Sequence, residues 1–170
     1  MIVKYNEVLS QYYPDLKFSS IGDGLTYEKL IVAGPGVLPS KQELDDKYLQ
    51  LAKDKAWRRI QVERDKRKGQ GVKVGSNWFH SDDTSRIQQL ALVMMGAGIP
   101  PNLMWKTMGG SFVVMTQQLA TQIFMAIAAS DQAVFAAAEY HKVQAFASAD
   151  PDSYNHLTTA PAWPKVFGEI

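Results

Sequence analysis

Residues 117–148 read QQLATQIFMAIAASDQAVFAAAEYHKVQAFAS and carry the strongest structural signal in the chain. Alanine, the best helix former, fills most positions between the larger apolar residues. The only charged residues in this stretch are Asp131, Glu139 and Lys142. A helix with so few charges cannot expose most of its circumference to water. We therefore expect one long helix that is largely covered.

Three kinds of cover are open for this helix: the rest of the chain, copies of itself, or both. A membrane is disfavoured, because the apolar stretch 112–130 is only 19 residues long and contains several polar residues, whereas a span needs about 20 mostly apolar residues. We expect a homo-oligomer and no membrane contact. The residues that we assign to the oligomer face are Leu119, Ile123, Ile127 and Val134.

A second long helix is predicted from Lys41 to Lys68, where glycine and proline are absent and apolar residues recur at three- and four-residue spacing. Ser40 and Glu43 match a capping box at its start. A basic cluster marks its carboxyl end, where cations favour the helix dipole. This cluster is either a solvated helix end or a contact for nucleic acid or phosphate. Its members are Arg58, Arg59, Arg64, Lys66, Arg67 and Lys68.

Shorter elements fill the rest of the chain. Turn residues between short apolar runs predict three hairpins, and capping candidates at 80–83 predict a shorter helix after them. The predicted fold class is therefore α+β, mainly α, with two long helices, one shorter helix and small antiparallel β-hairpins. The predicted segments are a small hairpin region at 1–38, a long connecting helix at 39–69, a hairpin-helix-hairpin-helix domain at 70–149, and an aromatic docking tail at 150–170.

The aromatic tail has no helical or strand periodicity. Such a segment usually docks on something, and we assign partner binding to Tyr154, Trp163 and Phe167. Trp163 is the expected anchor, because large aromatic residues dominate binding energy at interfaces. We expect Trp163→Ala to weaken attachment to a partner without unfolding the domain.

Composition excludes several classes of function. The chain has 170 residues, of which 46% are hydrophobic, which suits one globular core. It has no cysteine, which excludes a disulfide scaffold, a thiolate metal site and a cysteine nucleophile. Its net charge of +1 disfavours general affinity for nucleic acid. The amino terminus carries no secretory signal pattern.

No local pattern of a catalytic site is present. The chain lacks a nucleophile elbow, a phosphate-binding glycine loop and a pair of histidines at zinc-ligand spacing. His80 with Asp82 and Asp83 could ligate a metal, but one of these aspartates more simply caps the following helix. The clustered methionines fit either core filling or a thioether-rich groove, and we favour the core. We expect no enzyme, no cofactor and no metal.

An ordered series of short motifs resembles a domain of unknown function in tail proteins of tailed bacteriophages and prophages. These motifs are Arg64-Asp65, Gly71-Val72-Lys73-Val74-Gly75, Trp78-Phe79-His80-Ser81-Asp82, Ser85-Arg86-Ile87 and Leu103-Met104-Trp105-Lys106-Thr107. The amino-terminal part is similar to small phage tail accessory proteins of the XkdW-like kind. That similarity lies in Tyr13-Pro14, Gly22-Asp23-Gly24 and Pro39-Ser40-Lys41-Gln42-Glu43-Leu44.

The resemblance implies a structural component of a phage tail or baseplate. We expect an adaptor that attaches or positions tail fibres, with tail-fibre, baseplate or tail-tip proteins as partners. It would be made in the host bacterial cytoplasm and end up in the virion. Two alternatives stay open: a tail-fibre assembly chaperone that leaves the finished particle, and a protein that contacts nucleic acid through the basic helix.

Overall fold

Four α-helices and three two-stranded antiparallel sheets make up the part of the chain that the computed structural model describes, residues 1–169. This confirms the predicted α+β, mainly α class. The helices are Tyr5–Tyr12 (α1), Lys41–Lys68 (α2), Asp83–Met95 (α3) and Gln117–Ala147 (α4). Short 3₁₀ turns lie at Tyr27–Lys29, Gly96–Gly98 and Pro151–Ser153.

The three predicted hairpins are all present. Phe18–Ser20 (β1) pairs with Leu30–Val32 (β2), Val72–Val74 (β3) with Asn77–Phe79 (β4), and Met104–Lys106 (β5) with Phe112–Val114 (β6). The middle hairpin closes on the two-residue turn Gly75-Ser76, since Val74 lies opposite Asn77.

Side-chain caps form at three of the expected helix starts, but only half of the predicted capping box is present, because the Glu43 carboxylate accepts a hydrogen bond from the Tyr13 hydroxyl. The Ser40 hydroxyl accepts a hydrogen bond from the Glu43 amide at 3.2 Å at the start of α2. Asp82 accepts from the Ser85 amide at 3.0 Å at the start of α3, and Thr116 from the Leu119 amide at 3.1 Å at the start of α4. Each contact satisfies an amide that has no partner within its helix.

The chain divides into two compact units that each combine segments distant in sequence. Unit 1 comprises residues 1–59 and 142–154, and unit 2 comprises residues 60–141 and 155–170. The boundaries fall inside α2 and α4, so these units differ from the four consecutive segments predicted above. The reason is that a helix boundary predicted from local sequence carries no information on which distant segments share a core.

Unit 1 contains a helix that the sequence analysis missed. We predicted only a hairpin within residues 1–38, but α1 precedes it. Tyr5, Val8 and Leu9 of α1 are buried against Leu44 and Tyr48 of α2. The apolar residues of α1 do follow helical spacing, but Lys4 gives its start no side-chain cap.

Unit 2 has a core built from both of its hairpins and two of its helices. β3 and β4 contribute Val72 and Phe79, α3 contributes Leu92, and α4 contributes Ile123 and Ile127. Trp105 and Val113, which lie opposite each other in the β5–β6 hairpin, pack against this core. The other face of that hairpin is therefore directed away from the core.

Candidate interaction surface

Arg86 joins three segments of unit 2. Its guanidinium forms a two-pronged ion pair with Asp131 of α4, with distances of 2.7 and 2.9 Å. It also donates to the main-chain oxygens of Ser81 at 2.5 Å and of Lys68 at 2.8 Å. The ion pair with Asp131 raises the pKa of Arg86 despite the burial. The end of α2, the start of α3 and the middle of α4 are therefore fixed to one cation.

Ser81 completes this junction. Its hydroxyl donates to the Lys68 carbonyl at 2.7 Å and accepts from the Gly71 amide at 2.9 Å, and its side chain is buried. Gly71 has a φ of +96°, and a Cβ there would lie 2.3 Å from the sulfur of Met108. The motif residues that carry the phage-tail resemblance thus have structural roles at this junction.

The C-terminal tail is held on unit 2 by Arg67. Its guanidinium pairs with Glu169 at 2.9 and 3.1 Å, with Glu63 at 2.7 Å, and donates to the Pro164 carbonyl at 2.9 Å. Burial lowers the pKa of Arg67, but the hydrogen bonds to Glu169 and Glu63 outweigh it and the net shift is upward. The same pairing with Arg67 lowers the pKa of Glu169.

Trp163, which belongs to this tail, is buried in unit 2 and is not presented to a partner. Its ring stacks on His141 at 5.3 Å, lies near His156 at 5.9 Å, and has Arg67 above it at 5.7 Å. Its indole N–H donates to the His156 carbonyl at 3.0 Å. The expectation that Trp163 anchors a partner is therefore wrong for the chain as described, since only 6% of Trp163 is exposed.

The other predicted tail residues lie apart. Tyr154 is half-buried and belongs to unit 1. Phe167 is exposed over 41% of its surface and contacts the edge of Trp78 in unit 2, with ring centres 6.1 Å apart. Partner binding by Tyr154 and Phe167 stays a prediction.

The four residues assigned to the oligomer face of α4 also point into the protein. Ile123, Ile127 and Val134 are buried, and Leu119 is half-buried against the core of unit 2. That assignment is wrong because the chain uses the most apolar side of α4 for its own core. The outward side instead carries Phe124, Met125 and Phe135, with 40%, 65% and 42% exposed.

α4 is also long and apolar enough to cross a membrane by length and composition alone. Only 22% of its most apolar 18-residue stretch is buried, so the described chain by itself covers α4 incompletely.

Most of the basic cluster is neutralised by nearby carboxylates. In unit 2, Arg64 pairs with Asp65 at 2.8 Å, and Arg67 and Lys66 both pair with Glu63. In unit 1, Arg59 pairs with Asp152 at 3.3 Å. This arrangement weakens the positive field that a nucleic-acid contact requires.

The residues at 80–83 serve the start of α3. Asp82 accepts from both the amide and the hydroxyl of Ser85, and these hydrogen bonds lower its pKa. The N-cap interpretation of Asp82 is thus confirmed. Within residues 1–169, no group of three or more histidines, aspartates or glutamates is arranged to hold a metal ion.

A surface of large apolar side chains extends over α3 and its neighbours in unit 2. On α3, Ile87 is 69% and Met94 is 80% exposed. We call the whole surface the α3 face. Its members are Ile87, Leu90, Met94 and Met95 of α3, Met104, Phe112 and Val114 of the β5–β6 hairpin, and Phe124 of α4.

Two cavities show that these elements adjoin. Ser85 and Gln88 of α3 line a cavity with Met104 and Phe112 of the hairpin. On the opposite flank, Arg86 lines a cavity with Phe124 of α4. α3 therefore lies between the hairpin and α4, with its exposed side chains between theirs.

The position of the methionines corrects the core interpretation for most of them. Met115 is buried, but Met94, Met95, Met104 and Met125 are each at least 48% exposed. Sequence composition could not distinguish the two, because methionine suits both a core and a binding surface. The distribution of charge could have indicated an exposed apolar surface, because residues 87–130 contain a single charged side chain, Lys106.

Unit 2 also contains an open groove of about 700 Å³. It lies among β3, β4, α4 and the C-terminal tail. Its walls include Trp78, Ala126 and Ala129, and its charged residues are Lys73, Lys165 and Glu169. Glu169 is occupied by its ion pair with Arg67.

Comparisons with known proteins identify a family. No curated protein and no solved structure matches the chain. A family model described as Domain of unknown function (DUF4376) matches residues 51–160, a region that contains Ser81, Arg86 and the whole α3 face. Because this match covers more than half of the sequence, the chain belongs to the DUF4376 family.

Proposed function

We propose that this chain is a structural, non-catalytic protein of a bacteriophage tail or baseplate, where it acts as an adaptor that attaches or positions tail fibres. The observation that carries the proposal is the α3 face, an exposed apolar surface of the kind that marks protein contacts. The resemblance of the motifs around Ser81 and Arg86 to phage tail proteins supplies the setting.

The roles of the motif residues support a structural protein. Arg86 and Ser81 donate their hydrogen bonds to main-chain carbonyls and to Asp131. Thr107, from another motif, is buried and bonded to Ser111. A catalytic residue instead needs a group directed at a substrate.

Mass spectrometry of purified virions tests the adaptor. The chain should be present at a fixed ratio to the tail-fibre and baseplate proteins. Particles made without it should lose fibres while keeping assembled tails. A virion that lacks the chain but whose fibres require it during assembly would replace the adaptor with the tail-fibre chaperone. Fibres that attach normally without the chain would exclude both functions.

A contact with nucleic acid is the remaining alternative, and the ion pairs of Arg59, Arg64 and Arg67 argue against it. Fluorescence anisotropy with duplex DNA at low salt tests this alternative. Binding that weakens with salt and is lost in Arg58→Gln with Lys68→Gln would favour it. No binding under these conditions removes it.

A further inference from the structure

The α3 face is large enough to form one side of a stable protein interface. Its eight residues are each exposed over 40% to 80% of their surface. Together they present on the order of 800 Å², which is about what one partner contributes to a standard interface. Contiguous apolar patches of this size are uncommon on proteins that stay monomeric.

The charge of this region limits what can cover it. Residues 87–130, which include all of the α3 face, contain Lys106 as their only charged residue. A partner recognised through charge would find little to pair with. An anionic lipid surface would also find few of the lysines and arginines that interfacial segments use.

A second copy of the chain is the occupant that this surface fits. In a two-fold dimer the same patch lies on both sides, so any dense charge on it would face a like charge. The α3 face avoids this cost. Its exposed methionines are also flexible, so they can adjust to each other across the axis.

We propose that two copies of this chain associate through their α3 faces in a two-fold symmetric dimer. The ridge formed by Ile87 and Met94, one side of α3 at i and i+7, lies at the centre of the contact. Met104 and Phe112 of the hairpin and Phe124 of α4 flank it. This inference deepens the proposed function by naming a partner, and rests on it only for the setting in a virion.

Sedimentation equilibrium of the purified full chain tests the dimer. At about 100 µM the wild type should have twice the 18.9 kDa mass of one chain. Met94→Asp and Ile87→Asp each place a carboxylate at the centre of the contact. We expect each to weaken association at least about 30-fold, as loss of a central interface residue does.

Matched controls place a carboxylate on apolar residues outside the α3 face. Val62 of α2 is 69% and Val37 is 88% exposed, so Val62→Asp and Val37→Asp should leave the dimer intact. All four variants should keep the wild-type far-ultraviolet circular dichroism, because the replaced side chains are exposed. If one central variant loses that signal, the other still tests the contact.

A covalent test is possible because the chain has no cysteine. Met94→Cys should be joined to its copy by a short bis-maleimide linker, and Val62→Cys should not. A monomeric wild type overturns the proposal. So does a dimer that both central variants retain, because its contact then lies elsewhere. A monomer that binds neutral phosphatidylcholine vesicles would assign the face to lipid. None of these results depends on the content of virions, so this proposal and the adaptor function can fail separately.

Discussion

At the scale of single residues, the best-defined feature is Arg86. Five planar N–H donors let one guanidinium bind a carboxylate with two prongs and main-chain oxygens at the same time. Lysine carries the same charge but only one nitrogen. The junction in unit 2 therefore depends on the shape of the arginine side chain as well as on its charge.

Arg86→Lys should lower the free energy of unfolding by about 2–4 kcal/mol, because it keeps the cation but leaves hydrogen bonds to Asp131, Ser81 or Lys68 unmade. Urea unfolding followed by circular dichroism measures the change. Arg58→Lys is the matched control, since Arg58 is exposed, and it should alter stability by less than about 0.5 kcal/mol. Equal effects of the two substitutions would show that the junction contributes nothing particular.

His141 provides a prediction about pH. Burial lowers its pKa below the ordinary 6.5, although a hydrogen bond with the Pro161 main chain acts in the opposite direction. As the pH falls through 6.5, the unfolded chain therefore binds a proton before the folded chain does. The contribution of neutral His141 to the unfolding free energy is therefore fully present above about pH 6.5 and is lost as the pH falls below that value.

The pH effect is measured as the difference between wild type and His141→Gln. Between about pH 7 and pH 5 the unfolding free energy of the wild type should decrease more steeply than that of His141→Gln. The difference in slope should be at most 2.303RT per pH unit, the value for one proton. Val62→Gln serves as control because Val62 is exposed and does not titrate, and it should keep the wild-type slope. Parallel curves for wild type and His141→Gln would contradict the assignment.

At the scale of elements, the sequence pattern predicted the helix starts and turns that are determined by residues close in sequence. Ser40, Asp82 and Thr116 cap three helices as expected, and Gly75-Ser76 forms the turn of the middle hairpin. α1 was missed because its start has no capping side chain and its helix is only eight residues long. A helix this short is stabilised by packing against Leu44 and not by its own sequence.

The packing of the C-terminal tail is not determined by residues close in sequence. The tail has no helical or strand periodicity, so no local pattern indicates that Trp163 packs on His141 and Arg67, which lie 22 and 96 positions earlier. The candidate interface was likewise predicted on the wrong side of α4. Which side of an apolar helix faces inward depends on neighbours that are distant in sequence.

Trp163→Ala should destabilise unit 2 itself, by about 3–5 kcal/mol, because it empties a buried aromatic site and removes the hydrogen bond to His156. Thermal or urea unfolding measures this loss. Phe167→Ala is the comparison within the same segment, and its half-exposed ring should cost about 1 kcal/mol. A stable Trp163→Ala protein that only lost a binding partner would restore the docking interpretation.

At the scale of the whole molecule, the α3 face ties stability to concentration. If folding is coupled to pairing, mass action favours the folded form as more chains are present. A tenfold increase in protein concentration should raise the melting temperature by about 2 °C.

Differential scanning calorimetry at several concentrations measures this shift. Met94→Asp should show a smaller shift, since its copies associate at least about 30-fold more weakly. Val62→Asp should behave as the wild type does. A wild-type melting temperature that does not change with protein concentration would argue against the dimer.

The division of the chain into two units has a further consequence for biosynthesis. Unit 1 contains residues 1–59 and 142–154, so its last part leaves the ribosome well after its first part. Unit 2 likewise includes the tail from residue 155 onward. During synthesis, the first segment of each unit is therefore exposed before the second segment that completes its core has been made. A chain that ends before residue 142 would have neither unit complete, so it should be degraded faster in cells than the full chain.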